Sequence, residues 1–291
     1  MTSSKIFGGL TLIELEETEF ELGHGVLIRQ AYAHLSAHFM MAYSPPNENL
    51  KLKIHGDWRA TKGGIAFDIL TEIEISEIAE FKDTLSQEEL LWLITCLIRL
   101  GGYPFVMLSA ISDMSYNSVK ESDKNPTIYP FETRNRIFSL KEGAKPYLTK
   151  ENLEWLKQNW IKAARLIHDN PKFYGALKAL DDSSIQGNPS SSLLTIWGAI
   201  EQLFSPNTGE LKYRVSTNLA SFLKPRGEER LKLFKEISKL YNERSTAAHT
   251  AKKITYEPVV SSFLHLRNAV IKIIEAGELP TQKDLEELTF L

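Results

Sequence analysis

The chain has 291 residues, 43% of them hydrophobic, which is enough for one large core or two ordinary ones, and its length favours two domains. A net charge of −3 argues against a generally basic nucleic-acid-binding protein, and no apolar run reaches the roughly 18–20 residues that a membrane-spanning helix needs. A single cysteine, Cys96, excludes a disulfide framework within the chain. Because residues 1–10 also lack an apolar leader, we expect a cytoplasmic protein in a reducing compartment.

The small net charge hides a strong segregation of charge along the chain. Residues 1–148 carry 14 basic and 20 acidic side chains, a net of −6, whereas residues 211–253 carry 11 basic and 4 acidic side chains, a net of +7. A local basic patch is what contacts with phosphate need. Solvated lysine-rich helix faces would give the same counts, so charge alone leaves both interpretations open.

Residues 1–147 are predicted to form a mixed α/β domain. Residues 23–44 fit either an extended or a helical pattern. In 65–78, isoleucines alternate with Glu72 and Glu74, which predicts a half-buried strand with the carboxylates on its other face. The further predicted elements are a helix at 84–102 capped by Ser86, a strand at 103–112, a long loop at 112–134, a short strand at 135–140 and a domain boundary at 147/148.

From residue 149 the hydrophobic period is helical throughout, which predicts an all-α domain of five or six helices over residues 148–291. Thr149 is the expected N-cap of the first helix, and Pro171 opens the second, where its missing N–H costs nothing. The predicted helices are 150–169, 171–182, 191–204, 210–223, 227–249 and 258–277. The predicted fold class is therefore α+β, a mixed α/β domain followed by a helical bundle.

The predicted helix at 227–249 ends in LYNERSTAAH, which places Arg244 and His249 five positions apart. Metal-free RNA cleavage needs a base for the 2′-hydroxyl, an acid for the leaving oxygen and positive donors on the phosphate, which histidine and arginine supply. Positions five apart on a regular helix are about 140° apart around its axis. Both groups reach one phosphate only if the helix frays or kinks at residues 246–248, or if two copies meet across a two-fold axis.

The segment SLLTIWGAIEQLFSP, followed by a basic helix and LYNERSTAAHT, resembles the Apea-like branch of the HEPN superfamily over roughly residues 148–280. That family has an α-helical bundle with an Arg–four-residues–His motif on its penultimate long helix. The motif corresponds here to Arg244 and His249, and Tyr241 and Ser245 fit neighbouring positions. Where the family commonly has glycine after the histidine, this chain has Thr250.

The resemblance implies a metal-independent endoribonuclease that forms a homodimer through its helical domain, in a prokaryotic toxin or antiviral defence system. His249 would be the acid or base, and Arg244 would stabilise the charge that develops on the phosphate. The acidic domain at 1–147 would then sense a trigger, bind a protein partner or restrain the nuclease.

Further residues complete the predicted site. Glu201 falls on the apolar stripe of its helix, and because a buried carboxylate needs a partner, it could orient Arg244 or His249; a peripheral salt bridge is the alternative. His34 and His38 have the spacing of zinc ligands but no third ligand near them in sequence, so we expect no metal, and no cofactor either. The candidate contacts with RNA phosphates are Arg226, Arg230, Lys252 and Lys253.

Two other functions remain open from the sequence. One is a non-catalytic HEPN dimer that binds RNA or protein, in which Arg244 and His249 cap the helix and hold the interface. The other is a small-molecule enzyme whose site lies in residues 1–147. No interaction with a membrane is expected.

Overall fold

The computed structural model describes residues 5–46, 55, 57–138, 146–205, 210–250 and 253–291. Within them an antiparallel sheet comes first and helices follow, so the predicted α+β fold class is confirmed. No helix in the described part of the chain is both long enough and apolar enough to cross a bilayer.

The N-terminal sheet has six strands in the order β3-β4-β5-β1-β6-β7, and every neighbouring pair is antiparallel. The remaining two strands, β2 and β8, form a short parallel pair. The strands are β1 (Ile6–Thr11), β2 (Glu14–Leu15), β3 (Glu19–Gly23), β4 (Val26–Ala42), β5 (Trp58–Ile75), β6 (Met107–Ser112), β7 (Ile128–Pro130) and β8 (Tyr147–Leu148). The ambiguous segment at 23–44 is thus mainly a strand, because β4 pairs with β5 along almost its whole length.

One helix packs on the sheet and seven follow it among the described residues, rather than the five or six predicted after residue 149. The helices are α1 (Gln87–Leu100), α2 (Lys150–Asp169), α3 (Pro171–Ser183), α4 (Pro189–Phe204), α5 (Leu211–Leu223), α6 (Glu228–His249), α7 (Tyr256–Ala276) and α8 (Gln282–Phe290). Ser86 and Thr149 cap α1 and α2 as predicted, and Pro171 occupies the first turn of α3. The unpredicted helix is α8, although Thr281 and Asp284 form a capping box at its start.

The expectation that β5 turns an acidic face away from the core is wrong in one respect, because Glu72 and Glu74 are buried. Arg29 on the paired strand neutralises both carboxylates, with its Nη2 2.6 Å from Glu72 and 2.7 Å from Glu74. The backbone N–H of Tyr116 and the hydroxyl of Ser115 donate to Glu72 as well. A polar strand face can therefore be covered when ion pairs and hydrogen bonds replace its water.

A group of four charged residues with two buried arginines joins the sheet half to the helices. It consists of Arg99, Glu132, Arg136 and Asp181 and is called the Arg99 cluster below. Arg99 Nη1 donates to Asp181 at 2.7 Å, and its Nη2 donates to both oxygens of Glu132. Arg136 Nη1 donates to Asp181 at 2.8 Å and also to Ser184. The predicted strand at 135–140 is absent over its described residues, 135–138, where Arg136 instead turns into this cluster.

The main hydrophobic core includes residues from both sides of the predicted boundary at 147/148. Leu22, Ile73 and Leu91 from the sheet half belong to the same cluster as Trp160 and Ile196 from the helices. The indole N–H of Trp160 donates to the carbonyl of Leu22 at 3.1 Å. The two-domain division remains a prediction, and any independent movement of the halves would have to break this shared core.

Candidate functional site

The C-terminal half of α6, which carries the Arg–four-residues–His motif, is a regular helix to its last residue. The helix extends through His249, and the N–H of Thr250 still donates to the carbonyl of Thr246. There is thus no kink at residues 246–248, and Arg244 and His249 stay about 140° apart around the helix axis. Of the two geometries that could bring the groups together, only association of two copies is left.

Arg244 is held in a half-buried niche between α6 and α4. Its Nη2 donates to Glu201 Oε2 at 3.2 Å and lies 3.1 Å from Oε1, and the two side chains are 23% and 18% exposed. Its guanidinium carbon lies 5.7 Å from the ring centroid of Tyr241, within the range of a cation–π contact. The structure therefore brings together three of the predicted site residues, Arg244, Glu201 and Tyr241.

Trp197 packs against Tyr241 of this niche, and it was not predicted as part of the site. Its ring meets Tyr241 edge-on, with centroids 5.3 Å apart, and its indole N–H donates to Ser262 at 3.1 Å. Trp197 lies one helical turn before Glu201, so the two side chains share a face of α4. That spacing was visible in the sequence; the contact with Tyr241, which comes from another helix, was not.

The environment of the niche favours the neutral form of Glu201 more than solvent does. Burial raises the pKa of Glu201, and the opposing effect of the Arg244 charge does not cancel the rise. Burial also raises the pKa of Tyr241, and the nearby charge of Glu201 adds to that shift. Burial therefore destabilises the ionised form of Glu201 by more than its contact with Arg244 stabilises it.

His249 lies apart from the niche, exposed in the last turn of α6. The structure gives its imidazole no hydrogen-bond partner among the described residues. Ser245, the other predicted supporting residue, is half-buried directly after Arg244. Within one copy, an arginine held by α4 and a histidine open to solvent thus occupy separate surroundings.

The residues predicted to hold RNA phosphates are scattered. Arg226 lies two residues before α6 and Arg230 lies in its first turn, roughly 21 Å before Arg244 along the helix. Their guanidinium groups bind the last carbonyls of α8: Arg226 Nη2 donates to Phe290 O and Arg230 Nη1 to Leu288 O, both at 2.8 Å. Lys252 lies outside the described residues.

Lys253 is exposed on the wall of a surface cavity of about 380 Å³ between α6 and α7. The lining also carries three carboxylates, those of Glu236, Glu243 and Glu257, against one further cation, Lys239, and neither Arg244 nor His249 reaches it. Carboxylates repel phosphate, so the cavity is a poor continuation of the basic niche. Lys253 is therefore close to Arg244 and His249 in sequence, but in the structure it lines a cavity in which carboxylates outnumber the cations.

No group of three or more histidine, cysteine, aspartate or glutamate side chains within the described ranges is arranged to hold a metal ion. No family model matches the chain, and no curated protein or solved structure is detectably similar to it. The HEPN resemblance therefore stays a prediction that depends on the motifs themselves.

Proposed function

We propose that the chain is a metal-independent endoribonuclease of the HEPN type, active as a homodimer through its helical half. The observation that carries the proposal is that Arg244 and Tyr241, on an unbroken α6 that ends in an exposed His249, meet Glu201 of α4 in one niche. The helix presents a permanent cation and a proton carrier on two different sides. Two copies related by a two-fold axis supply each active cleft with both.

In this mechanism His249 exchanges the proton of the 2′-hydroxyl or of the leaving oxygen, because imidazole titrates closest to neutral pH. Arg244 binds the phosphate and stabilises the negative charge that builds up on it. Glu201 is a positioning residue, since it holds the guanidinium against α4.

The decisive experiment is incubation of mixed RNA with the purified chain in the presence of EDTA. Wild type should cut the RNA, and His249→Ala should abolish cutting while it leaves the subunit association unchanged. His168→Ala is a matched control, because His168 is also exposed in the last turn of a helix, α2. Equal cleavage by wild type and His249→Ala would contradict the catalytic role of His249, and no cleavage by either would count against a nuclease.

A second candidate is a non-catalytic module that binds RNA or protein, and the pairing of Arg244 with Glu201 favours it. A guanidinium that already has a carboxylate partner has a structural role that requires no substrate. Under this alternative RNA would bind without being cut, and Arg244→Ala would lower stability or association instead of a cleavage rate. Filter binding with uncut, end-labelled RNA, measured beside the cleavage assay, separates the two.

A further inference from the structure

A surface cavity of about 330 Å³ lies between α5 and α6, beside the end of α8, and is called the α5–α6 pocket below. From α5 it is lined by Tyr213, Thr217 and Ser221, which are four positions apart, and from α6 by Arg230 and Phe234, also four apart. Residues at this spacing share one face of a helix, so the pocket is formed where two such faces meet. Its volume is at the lower end of the range for small-molecule sites, about 300–1,000 Å³.

Two arginines supply the charge of the α5–α6 pocket. Arg226 Nη2 donates to the carbonyls of Thr289 and Phe290 at 3.1 and 2.8 Å, and Arg230 Nη1 donates to that of Leu288 at 2.8 Å. Because these three carbonyls belong to consecutive residues, the two guanidinium groups lie side by side. Burial and then the charge of Arg226 lower the pKa of Arg230, which agrees with that closeness. Within the described ranges neither arginine forms an ion pair with a carboxylate, so two positive charges remain together in the wall.

The bonds to α8 hold the two arginines in place without using all their donors. Arg226 Nε and Nη1 and Arg230 Nη2 make no hydrogen bond within the part of the chain that the structure describes. The C-terminus of α8 offsets only about half a unit of their charge. Glu228 and Glu229 are close in sequence but do not line the pocket, and Glu229 pairs with Lys232 at 2.9 Å. The pocket therefore presents two preorganised guanidinium forks, which fit the oxygens of a phosphate group.

Hydroxyl and aromatic groups complete the lining of the pocket. The Oγ1 atom of Thr217 is buried and has no hydrogen-bond partner in any described residue, so it has a donor to offer to a bound group. The ring of Tyr213 is 60% exposed and meets Phe234 edge-on, with centroids 5.9 Å apart. Leu231, which is 53% exposed, also lines the pocket. Exposed aromatic rings stack on nucleic-acid bases, so the pocket combines groups for a phosphate with groups for a planar ring.

We propose that the α5–α6 pocket binds a nucleotide with a terminal phosphate, which Arg226 and Arg230 hold while Tyr213 stacks on the base. This chemistry has two sources, a free nucleoside 5′-monophosphate and the 5′-phosphorylated end of an RNA chain. Arg230 lies roughly 21 Å from Arg244 along α6, so the pocket is separate from the niche. A free mononucleotide needs no nuclease, whereas an RNA end held here would position the substrate of the nuclease and therefore rests on the proposed function.

The first test measures binding by calorimetry, with the full chain carrying His249→Ala and with EDTA present, so that no RNA is cut. The probes are the four nucleoside 5′-monophosphates, their nucleosides, inorganic phosphate, and one RNA oligonucleotide with a 5′-phosphate or a 5′-hydroxyl. If the source is a free mononucleotide, one monophosphate should bind about tenfold more tightly than its nucleoside and than inorganic phosphate. If the source is an RNA end, the 5′-phosphorylated RNA should bind about tenfold more tightly than the 5′-hydroxyl RNA. The absence of both preferences would overturn the proposal.

The second test assigns the binding to the pocket. Arg230→Gln should weaken it about tenfold and Tyr213→Ala about fivefold, whereas Tyr213→Phe keeps the ring and should change it by less than about twofold. Thr217→Val should weaken it about threefold without loosening α8, because this hydroxyl bonds to no described residue. Arg214→Gln is the matched control, since Arg214 is exposed on α5 outside the pocket. Equal affinities for wild type, Arg230→Gln and Tyr213→Ala would overturn the proposal, whereas binding without any RNA cleavage by the wild type would contradict the nuclease alone.

Discussion

Two arginine–carboxylate groups lie in the helical half and its junction with the sheet, and they differ in how completely they are bonded. In the Arg99 cluster the side chains of Arg99 and Arg136 are 5% and 2% exposed, and Arg99 is bonded through Nε and both Nη atoms. In the niche on α6, Arg244 has one hydrogen bond to Glu201, and both side chains are about a fifth exposed. Arg99 is thus enclosed by its partners, whereas the side chain of Arg244 is still partly open to solvent.

The pKa shifts of the two carboxylates point in opposite directions, and the cause is the number of cations around each. Burial raises the pKa of Asp181, but Arg99 and Arg136 outweigh it, so the pKa lies below its ordinary value. Burial also raises the pKa of Glu201, and its single arginine does not compensate. The two carboxylates thus differ in the number of arginines that stabilise their ionised forms, two for Asp181 and one for Glu201.

The largest effect is expected from breaking the Arg99 cluster. Asp181→Ala leaves two buried arginines with Glu132 as their one remaining shared counter-ion and should lower the free energy of unfolding by about 3–5 kcal/mol. Urea denaturation of the full chain followed by circular dichroism measures it. Asp182→Ala is the neighbouring control, because Asp182 forms no salt bridge among the described residues. A loss below about 1 kcal/mol, as for an exposed pair, would show that the cluster does not join the two halves.

A smaller effect is expected at the niche. Glu201→Gln keeps the shape of the side chain but removes its charge; because the folded chain already favours the neutral form of Glu201, the free energy of unfolding should change by no more than about 1 kcal/mol in either direction. A double-mutant cycle with Arg244→Gln isolates the coupling between the two side chains. If Glu201→Gln destabilises the chain as much as Asp181→Ala, the contrast between the two groups is wrong.

The pH dependence of stability should carry opposite signs for the two carboxylates. The pKa of Asp181 is lowered on folding, so its contribution is present above its ordinary value of 3.8 and is lost as the pH falls below it. The pKa of Glu201 is raised, so the folded state holds its proton more tightly, and stability declines as the pH rises above 4.5. Glu201→Gln should flatten the profile above about pH 4.5 and leave the acid limb unchanged. An unaltered profile would show that the niche does not desolvate Glu201.

The sequence predicts local features well because they depend on neighbours in the chain. The Ser86 and Thr149 caps, Pro171 in a first turn and the helix that carries Arg244 all follow from short-range pattern. The burial of Glu72 could not be predicted, since it depends on Arg29 and on the backbone of Tyr116, which are 43 and 44 residues away in sequence.

The candidate site shows the same limit. Glu201 on the apolar face of α4 signalled a buried carboxylate that needs a partner, but only the fold selects Arg244 rather than His249. The basic count of residues 211–253 suggested one phosphate-binding patch, whereas the helix geometry separates Arg230 from Arg244 by roughly 21 Å. A count of charges does not say where the charged side chains lie in space. Their placement follows from the contact of Arg244 with α4 and from the hydrogen bonds of Arg226 and Arg230 to α8.

The smallest effect is expected at the start of α6, where the predicted RNA contacts bind α8. Arg226 is exposed and donates to the carbonyls of Thr289 and Phe290, so Arg226→Ala should change the global unfolding free energy by less than about 1 kcal/mol. Amide hydrogen exchange within α8 should nevertheless become faster, because the last turn loses donors for its carbonyls. Unchanged exchange in α8 together with weaker RNA binding would instead assign Arg226 to the nucleic acid. Hydrogen exchange in α8 and RNA binding together therefore decide whether Arg226 stabilises α8 or binds a ligand.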